Sequence, residues 1–300
     1  METIYIDPST KRKKELIENH VTEHEGIPMF TLIEFNIWGA CNRACTFCPV
    51  SNPAVYQNMH EGISVENYTK VLEDLRKINY RATILFSAFS EPLLHRDLPE
   101  LLQKTKLLLP AVRLEIVSNG DIIIKRPEKM DYLFDCGLDT VNISVYDGEK
   151  AFENFVKLTQ NHHWFSERVV LRRRYFKDGN YGMTISNRAG LINSNEYRSI
   201  DEGSVDQETL PLQRPCFYPF YQIVVDYDGS VLMCAHDWGR KFIAGNAFQS
   251  DIFSIWSNKK LNGARKMLVN SNRNLGPCRR CDVKGDVMGS ANFEAFKKVL

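Results

Sequence analysis

Apolar positions along the first two thirds of the chain switch repeatedly between a two-residue and a helical period. Residues 30–37 alternate like a strand and put Leu32, Glu34 and Asn36 on one face. Residues 64–75 have helical spacing, with Ser64 placed to cap the first turn. Residues 82–86, 112–117, 140–145 and 168–175 read as further strands, with helices at 98–109, 129–136 and near 148–160 between them. This alternation predicts repeated βα units: an α/β fold whose parallel sheet curls into a full or partial TIM-like (β/α) barrel. Past residue 175 the period is lost, and 176–215 hold scattered Gly, Asn, Ser and Asp. Residues 221–233 then read as a hairpin turning at Asp228-Gly229, and a helix is predicted near 251–268. The break places a boundary within 180–215.

Composition adds limits. The chain is 43% apolar and 25% charged, as ordinary globular proteins are. A net charge of +1 sets up no long-range field for nucleic acid or an anionic membrane. The basic run Lys11-Arg12-Lys13-Lys14 is answered by Glu15, Glu18, Glu23 and Glu25 and reads as a solvated helix face. No apolar run approaches a membrane span, and residues 1–30 lack the order of a secretory signal. The expectation is a cytoplasmic protein with neither a nucleic-acid nor a membrane partner.

Eight cysteines carry the candidate chemistry, at 41, 45, 48, 136, 216, 234, 278 and 281. In a cytosolic chain such grouping points to metal, cluster or catalysis rather than disulfides. Cys41, Cys45 and Cys48 lie in the loop after the first strand. One short loop can wrap three corners of a [4Fe–4S] cubane and leave the fourth iron without a protein ligand. Structural zinc needs a closed set of four ligands, and the nearest histidine is His60. Cys216, Cys234, Cys278 and Cys281 bracket the hairpin and the later helix; by spacing alone they suit zinc or a second cubane. Cys136, just before Gly137, sits at the opposite end of the barrel and reads as buried and inert.

The spacing Cys41-x3-Cys45-x-Phe47-Cys48 resembles the signature of the radical S-adenosylmethionine (SAM) superfamily. The resemblance implies that Phe47 lies against the SAM adenine. Ser90-Glu91-Pro92 resembles the family's Gly-Glu-Pro segment, with Ser90 in the glycine position; Glu91 would hold the SAM amino group. Asn119, after the third strand, falls where ribose contacts are made, and Ser144, ending the fourth, where SAM is commonly touched. Arg172 and Arg174, near the end of the fifth, suit the SAM carboxylate. All follow or end strands, on the functional face of such a barrel. Residues 216–285 resemble the SPASM and twitch extensions, and four cysteines fit the twitch arrangement with one auxiliary [4Fe–4S] cluster, as in aminocyclitol-oxidising members. The resemblance thus implies two [4Fe–4S] clusters and SAM, in three parts: a helical segment (1–29), a radical SAM core (30–200) and an auxiliary-cluster domain (201–300).

The function expected is hydrogen abstraction by a 5′-deoxyadenosyl radical from a small polyol, aminocyclitol or sugar-like substrate. Two-electron oxidation would follow, with the auxiliary cluster accepting an electron and a flavodoxin or ferredoxin as reductant. Peptide maturation is the alternative enzyme, though thirty residues before the first strand are short for a leader-binding domain. Epimerisation ranks lower because only Cys136 is left as a hydrogen donor. A zinc-binding interaction protein is the alternative from another class. Substrate contacts are expected from 176–215 and the hairpin, including Asn187-Arg188-Ala189-Gly190, His236 and Asp237.

Overall fold

A computed structural model of the chain describes residues 9–18, 21–164, 168–175, 185–193 and 209–300. Helix α1 (Ser9–Glu18) and a short hairpin, β1 (Glu23–His24) and β2 (Ile27–Pro28), come first. Then follow β3 (Leu32–Phe35), α2 (Val65–Lys77), β4 (Thr83–Phe86), α3 (Leu98–Leu108), β5 (Arg113–Ser118), α4 (Asp121–Lys125), α5 (Glu128–Asp135), β6 (Thr140–Val145), α6 (Glu149–Asn161) and β7 (Val169–Arg173). The later part holds α7 (Tyr218–Tyr221), β8 (Gln222–Val225), β9 (Ser230–Leu232), β10 (Ile243–Asn246), α8 (Ile252–Trp256), α9 (Lys259–Val269) and α10 (Ser290–Lys297).

The strands form one open sheet in the order β10-β9-β8-β3-β4-β5-β6-β7. From β8 to β7 every pairing is parallel; β9 and β10 run antiparallel at one edge. This is the curled α/β sheet expected, open rather than closed. The hairpin adds itself directly beside β3, Leu32 pairing with Gln222, so one sheet crosses the predicted boundary. Much of 180–215 lies outside the described residues.

Period-two alternation sorts side chains between the two faces. Ile33, Phe35, Ile84, Phe86, Leu114, Ile116, Val141 and Ile143 belong to the main apolar core. Tyr68 of α2 fills that layer, with its ring 5.1 Å from Phe35 and its hydroxyl 2.7 Å from Thr105. The alternate positions, among them Glu34, Thr83, Glu115 and Ser144, line a cavity on the concave face. That inner wall mixes buried polar and charged side chains with apolar ones such as Leu32, Leu85 and Val117, which a core made only for stability would not do.

Local expectations mostly hold. Ser64 caps α2, its hydroxyl accepting from the Asn67 amide at 3.1 Å. Gly229 closes the hairpin turn with φ +84°, its amide donating to Asp226 at 2.8 Å. Cys136 is buried next to Gln103, away from the other cysteines. Two expectations need correction. The helix near 251–268 is two helices, α8 and α9, because Asn258 caps a new start by accepting from the Leu261 amide. The basic run is not a solvated face throughout. Arg12 turns inward onto Glu115, and Ile17 is buried against Leu32, Leu85 and Tyr221. Among the described residues, no helix is long and apolar enough to cross a membrane.

Candidate active site

The cavity has a volume of about 1200 Å³. Its wall carries Glu34, Ser144, Tyr146, Arg172, Arg174 and His236. Thr10 and Lys13 of α1 reach it from below, beside Glu34 and Glu115. Single-ligand pockets run about 300–1,000 Å³, so there is room for a cofactor and a small second molecule.

Cys41, Cys45 and Cys48 lie in the loop after β3, at the carboxyl edge of the parallel strands. The loop is fastened at several points. The Cys41 amide donates to Asn58 Oδ1 at 3.0 Å, and Phe47 is buried with its ring 5.2 Å from Tyr146. Arg43 reaches outward to Asp121 and, at 2.8 Å, to Asp147, tying the loop to the segments after β5 and β6. Burial pushes the Cys41 and Cys45 thiols up to about 11 and raises Cys48 too. Neighbouring negative charge adds to this: Cys45 acts on Cys41, Cys48 on Cys45, and Cys41 on Cys48.

Glu91 follows β4 and is 2% exposed. Its carboxylate accepts from the Asn119 amide at 2.8 Å and the Leu93 amide at 3.1 Å, while its own amide donates to Ala40. Burial outweighs these bonds and lifts its pKa to about 7. The left-handed backbone in this stretch falls on Ala88, φ +77°, and not on Ser90, whose hydroxyl donates to Asn36 at 2.6 Å. Ser90 therefore sits in the glycine position without strain at its own φ. Asn119 points its amide group at Asn42 Oδ1, 2.8 Å, and at the Cys41 sulfur, 3.8 Å. Ser144 is buried on β6 beside Tyr146, opposite Arg172 in the ladder. Arg174 follows β7 and is 8% exposed. The structure thus gathers all six non-cysteine candidates at one edge, Glu91 and Asn119 against the triad and Ser144, Arg172 and Arg174 on the cavity wall.

The second cysteine set closes around the hairpin. Cys216 precedes α7, Cys234 follows β9, and Cys278 and Cys281 flank one short turn. Burial raises all four thiols, Cys281 to about 12. The negative charge of Cys216, Cys278 and Cys281 adds to the rise at Cys234. Gly285 (φ +81°) packs on this set; a Cβ there would stand 2.4 Å from the Cys216 sulfur.

Both sets fit iron–sulfur ligation by the chemistry of their donors. All eight cysteines are free of disulfides. In five of the seven candidates the sulfur accepts from the amide two residues on: Arg43, Val50, Tyr218, His236 and Val283. Such bonds favour the thiolate, which is the ligating form. Among the described residues no three His, Cys, Asp or Glu side chains converge as around one metal ion. A cubane asks for a wider spacing, one thiolate per iron.

Sequence reasoning overlooked what joins the two sets. Trp238 packs on Phe89 (4.9 Å between ring centroids) and Tyr56 (5.4 Å), in a cluster that touches Cys41, Cys48 and Ala235. No spacing rule marks these aromatics. Of the expected substrate contacts, Asn187, Arg188 and His236 line the cavity. Burial lowers His236 to about 3, so its ring is neutral, and it pairs with Ser186 at 3.2 Å. Asp237 is a correction: it is fully buried and accepts from the Lys241 and Phe242 amides at 2.9 and 2.7 Å, bracing its own loop.

A family model described as the radical SAM superfamily matches residues 35–187, and one described as an iron–sulfur cluster-binding domain (SPASM) matches 216–282. The chain is 27% identical over 261 residues to the S-adenosyl-L-methionine-dependent 2-deoxy-scyllo-inosamine dehydrogenase of Niallia circulans, covering 85% of this chain and 93% of that enzyme. It is 26% identical over 218 residues to GTP 3',8-cyclase of Mycobacterium marinum, covering 72% of this chain and 55% of that one. BtrN, solved in complex with AdoMet and 2-DOIA, shares the fold with a TM-score of 0.67 at 24% identity, over 86% of this chain and 94% of that one.

Proposed function

The chain belongs to the radical SAM superfamily, whose core binds a [4Fe–4S] cluster and SAM and whose SPASM extension binds an auxiliary iron–sulfur cluster, and on that premise we propose that it dehydrogenates a small polyol, aminocyclitol or sugar-like alcohol. When bound, these groups supply a 5′-deoxyadenosyl radical that takes a hydrogen atom from a carbinol carbon; loss of one proton and one electron then gives the ketone, with the auxiliary cluster as electron acceptor.

The observation that carries the reading is where the cavity wall runs. It extends from Ala88 and Tyr146, beside the triad, to Ala235, His236 and Asp282, beside the second set. A molecule held there lies between both. In this reading Cys41, Cys45 and Cys48 hold the first cluster, and Cys216, Cys234, Cys278 and Cys281 the auxiliary one. Phe47 and Glu91 seat the adenine and amino group of SAM, with Asn119, Ser144, Arg172 and Arg174 around the rest. The polar side chains set into the inner wall, Glu34, Ser144, Arg172, Arg174 and His236, suit a hydroxylated substrate, since each buried polar group needs a partner. Likeness to an aminocyclitol dehydrogenase over most of both chains supports the same class. The setting is the cytoplasm, with a flavodoxin or ferredoxin as reductant.

A panel of deuterated aminocyclitols and polyols tests this anaerobically, by counting 5′-deoxyadenosine and ketone per enzyme. A folded variant with Cys216, Cys234, Cys278 and Cys281 replaced should still cleave SAM and take up deuterium, yet release no ketone. Ketone at the wild-type yield from that variant would rule the mechanism out.

A further inference from the structure

We propose that Arg273 is a positioning residue of the auxiliary site that sets the electron affinity of the group bound by Cys216, Cys234, Cys278 and Cys281. This rests on reading those four thiols as cluster ligands.

Arg273 lies past the end of α9 and is 1% exposed. Its Nε donates to the Arg214 carbonyl at 2.9 Å and its Nη1 to that of Val283 at 2.6 Å. Its Nη2 donates to the Pro215 carbonyl at 2.8 Å and also to that of Lys284. Arg214 and Pro215 lead into Cys216; Val283 and Lys284 follow Cys281 and lead into Gly285, which packs on the Cys216 sulfur. One guanidinium therefore draws together the two chain segments that present these cysteines.

The partners are carbonyl oxygens, which orient the guanidinium without neutralising it. A full positive charge is held in a site where water does not screen it. The Pro215 carbonyl it binds adjoins Cys216 and the Val283 carbonyl lies two residues past Cys281, so the charge stands beside the backbone that carries both sulfurs. Arg265 is the informative contrast. It is equally buried and also donates to carbonyls, of Pro219 and Trp256, but it stacks 3.8 Å over Trp256 and 4.3 Å over Phe296. Both arginines brace; Arg273 also charges the cysteine site.

Cluster potentials follow net charge, hydrogen bonding and exposure. A fixed positive charge stabilises the reduced state, which carries one more electron. That bias suits an acceptor of the electron left on a substrate radical, because it raises the driving force for the last oxidation step.

The test uses the full chain with Cys41, Cys45 and Cys48 changed to alanine, so that only the auxiliary signal remains, and follows a redox titration by electron paramagnetic resonance. Arg273→Gln should lower electron affinity at least tenfold, which is about 59 mV for a one-electron couple. Arg273→Lys, which keeps the charge, should stay within threefold of the parent, and Arg265→Gln should lose thermal stability at an unchanged potential. If Arg273→Gln sheds its iron, the lysine variant decides: a cluster at the parental potential supports the proposal. An intact Arg273→Gln cluster at the parental potential would overturn it, as would a shifted potential in the lysine variant or loss of iron from both. A parent without iron would instead refute the cluster reading, and this inference with it.

Discussion

Breaking the contact between Arg12 and Glu115 asks whether α1 is part of the cavity. Glu115 has 2% of its side chain exposed, on β5, and Arg12 grips both carboxylate oxygens, one at 2.9 Å. Arg113 holds one of them from its own strand at 2.7 Å, and Asn142 donates to the other at 3.2 Å. Burial alone would raise this carboxyl; Arg12, with Lys13 and Arg113, outweighs burial and lowers it from 4.5 to about 2. That shift corresponds to about 3 kcal/mol at roughly 1.36 kcal/mol per unit. Arg113 and Lys13 contribute to the same shift, so the share of Arg12 is taken from the general range of a charge-assisted pair, about 1.5–3 kcal/mol. A double-mutant cycle of Arg12→Ala and Glu115→Gln, read by urea unfolding, should return that coupling at neutral pH. The folded pKa is depressed, so the contribution is complete above the unfolded value and fades as pH falls from 4.5 toward about 2. The coupling should therefore be flat between about pH 8 and 5. A coupling under about 0.5 kcal/mol would refute the docking of α1 by this pair, since that is what solvated surface pairs give.

Glu91→Gln should leave iron content unchanged and weaken SAM binding about tenfold to a hundredfold, because the buried carboxylate would be lost from a charge-assisted contact. Calorimetric titration reads this, and an unchanged affinity would move the amino-group contact elsewhere. Gly285→Ala should cost about half the iron, each cubane holding four, because its Cβ would collide with the Cys216 sulfur at 2.4 Å. Full iron in that variant would show that Cys216 is not pinned where the fold places it.

The cysteine triad, the strands that lead into the candidate loops and the Ser64 cap were legible in the sequence because each is local. Three thiols within one short loop can meet around one cluster whatever the distant chain does, and period-two alternation reports which strand faces are packed. The second cysteine set was legible as a group, but its closure was not. Arg273 binds backbone carbonyls beside Cys216 and Cys281, and carbonyls are the same at every residue and leave no trace in a sequence. For the same reason the hairpin gave no sign that β8 would lie parallel to β3, Leu32 beside Gln222. A basic run flanked by glutamates looks solvated until a buried carboxylate stands opposite, and Glu115 comes 103 positions after Arg12. Asp237 looked available for substrate because it lies with His236 in the region of the hairpin; its two amide bonds exist only once residues 237–242 fold back. Local spacing thus picked out the candidate groups for the chemistry. Tertiary structure decided which of them share a cavity, because long-range pairing and burial depend on partners that no window of sequence contains.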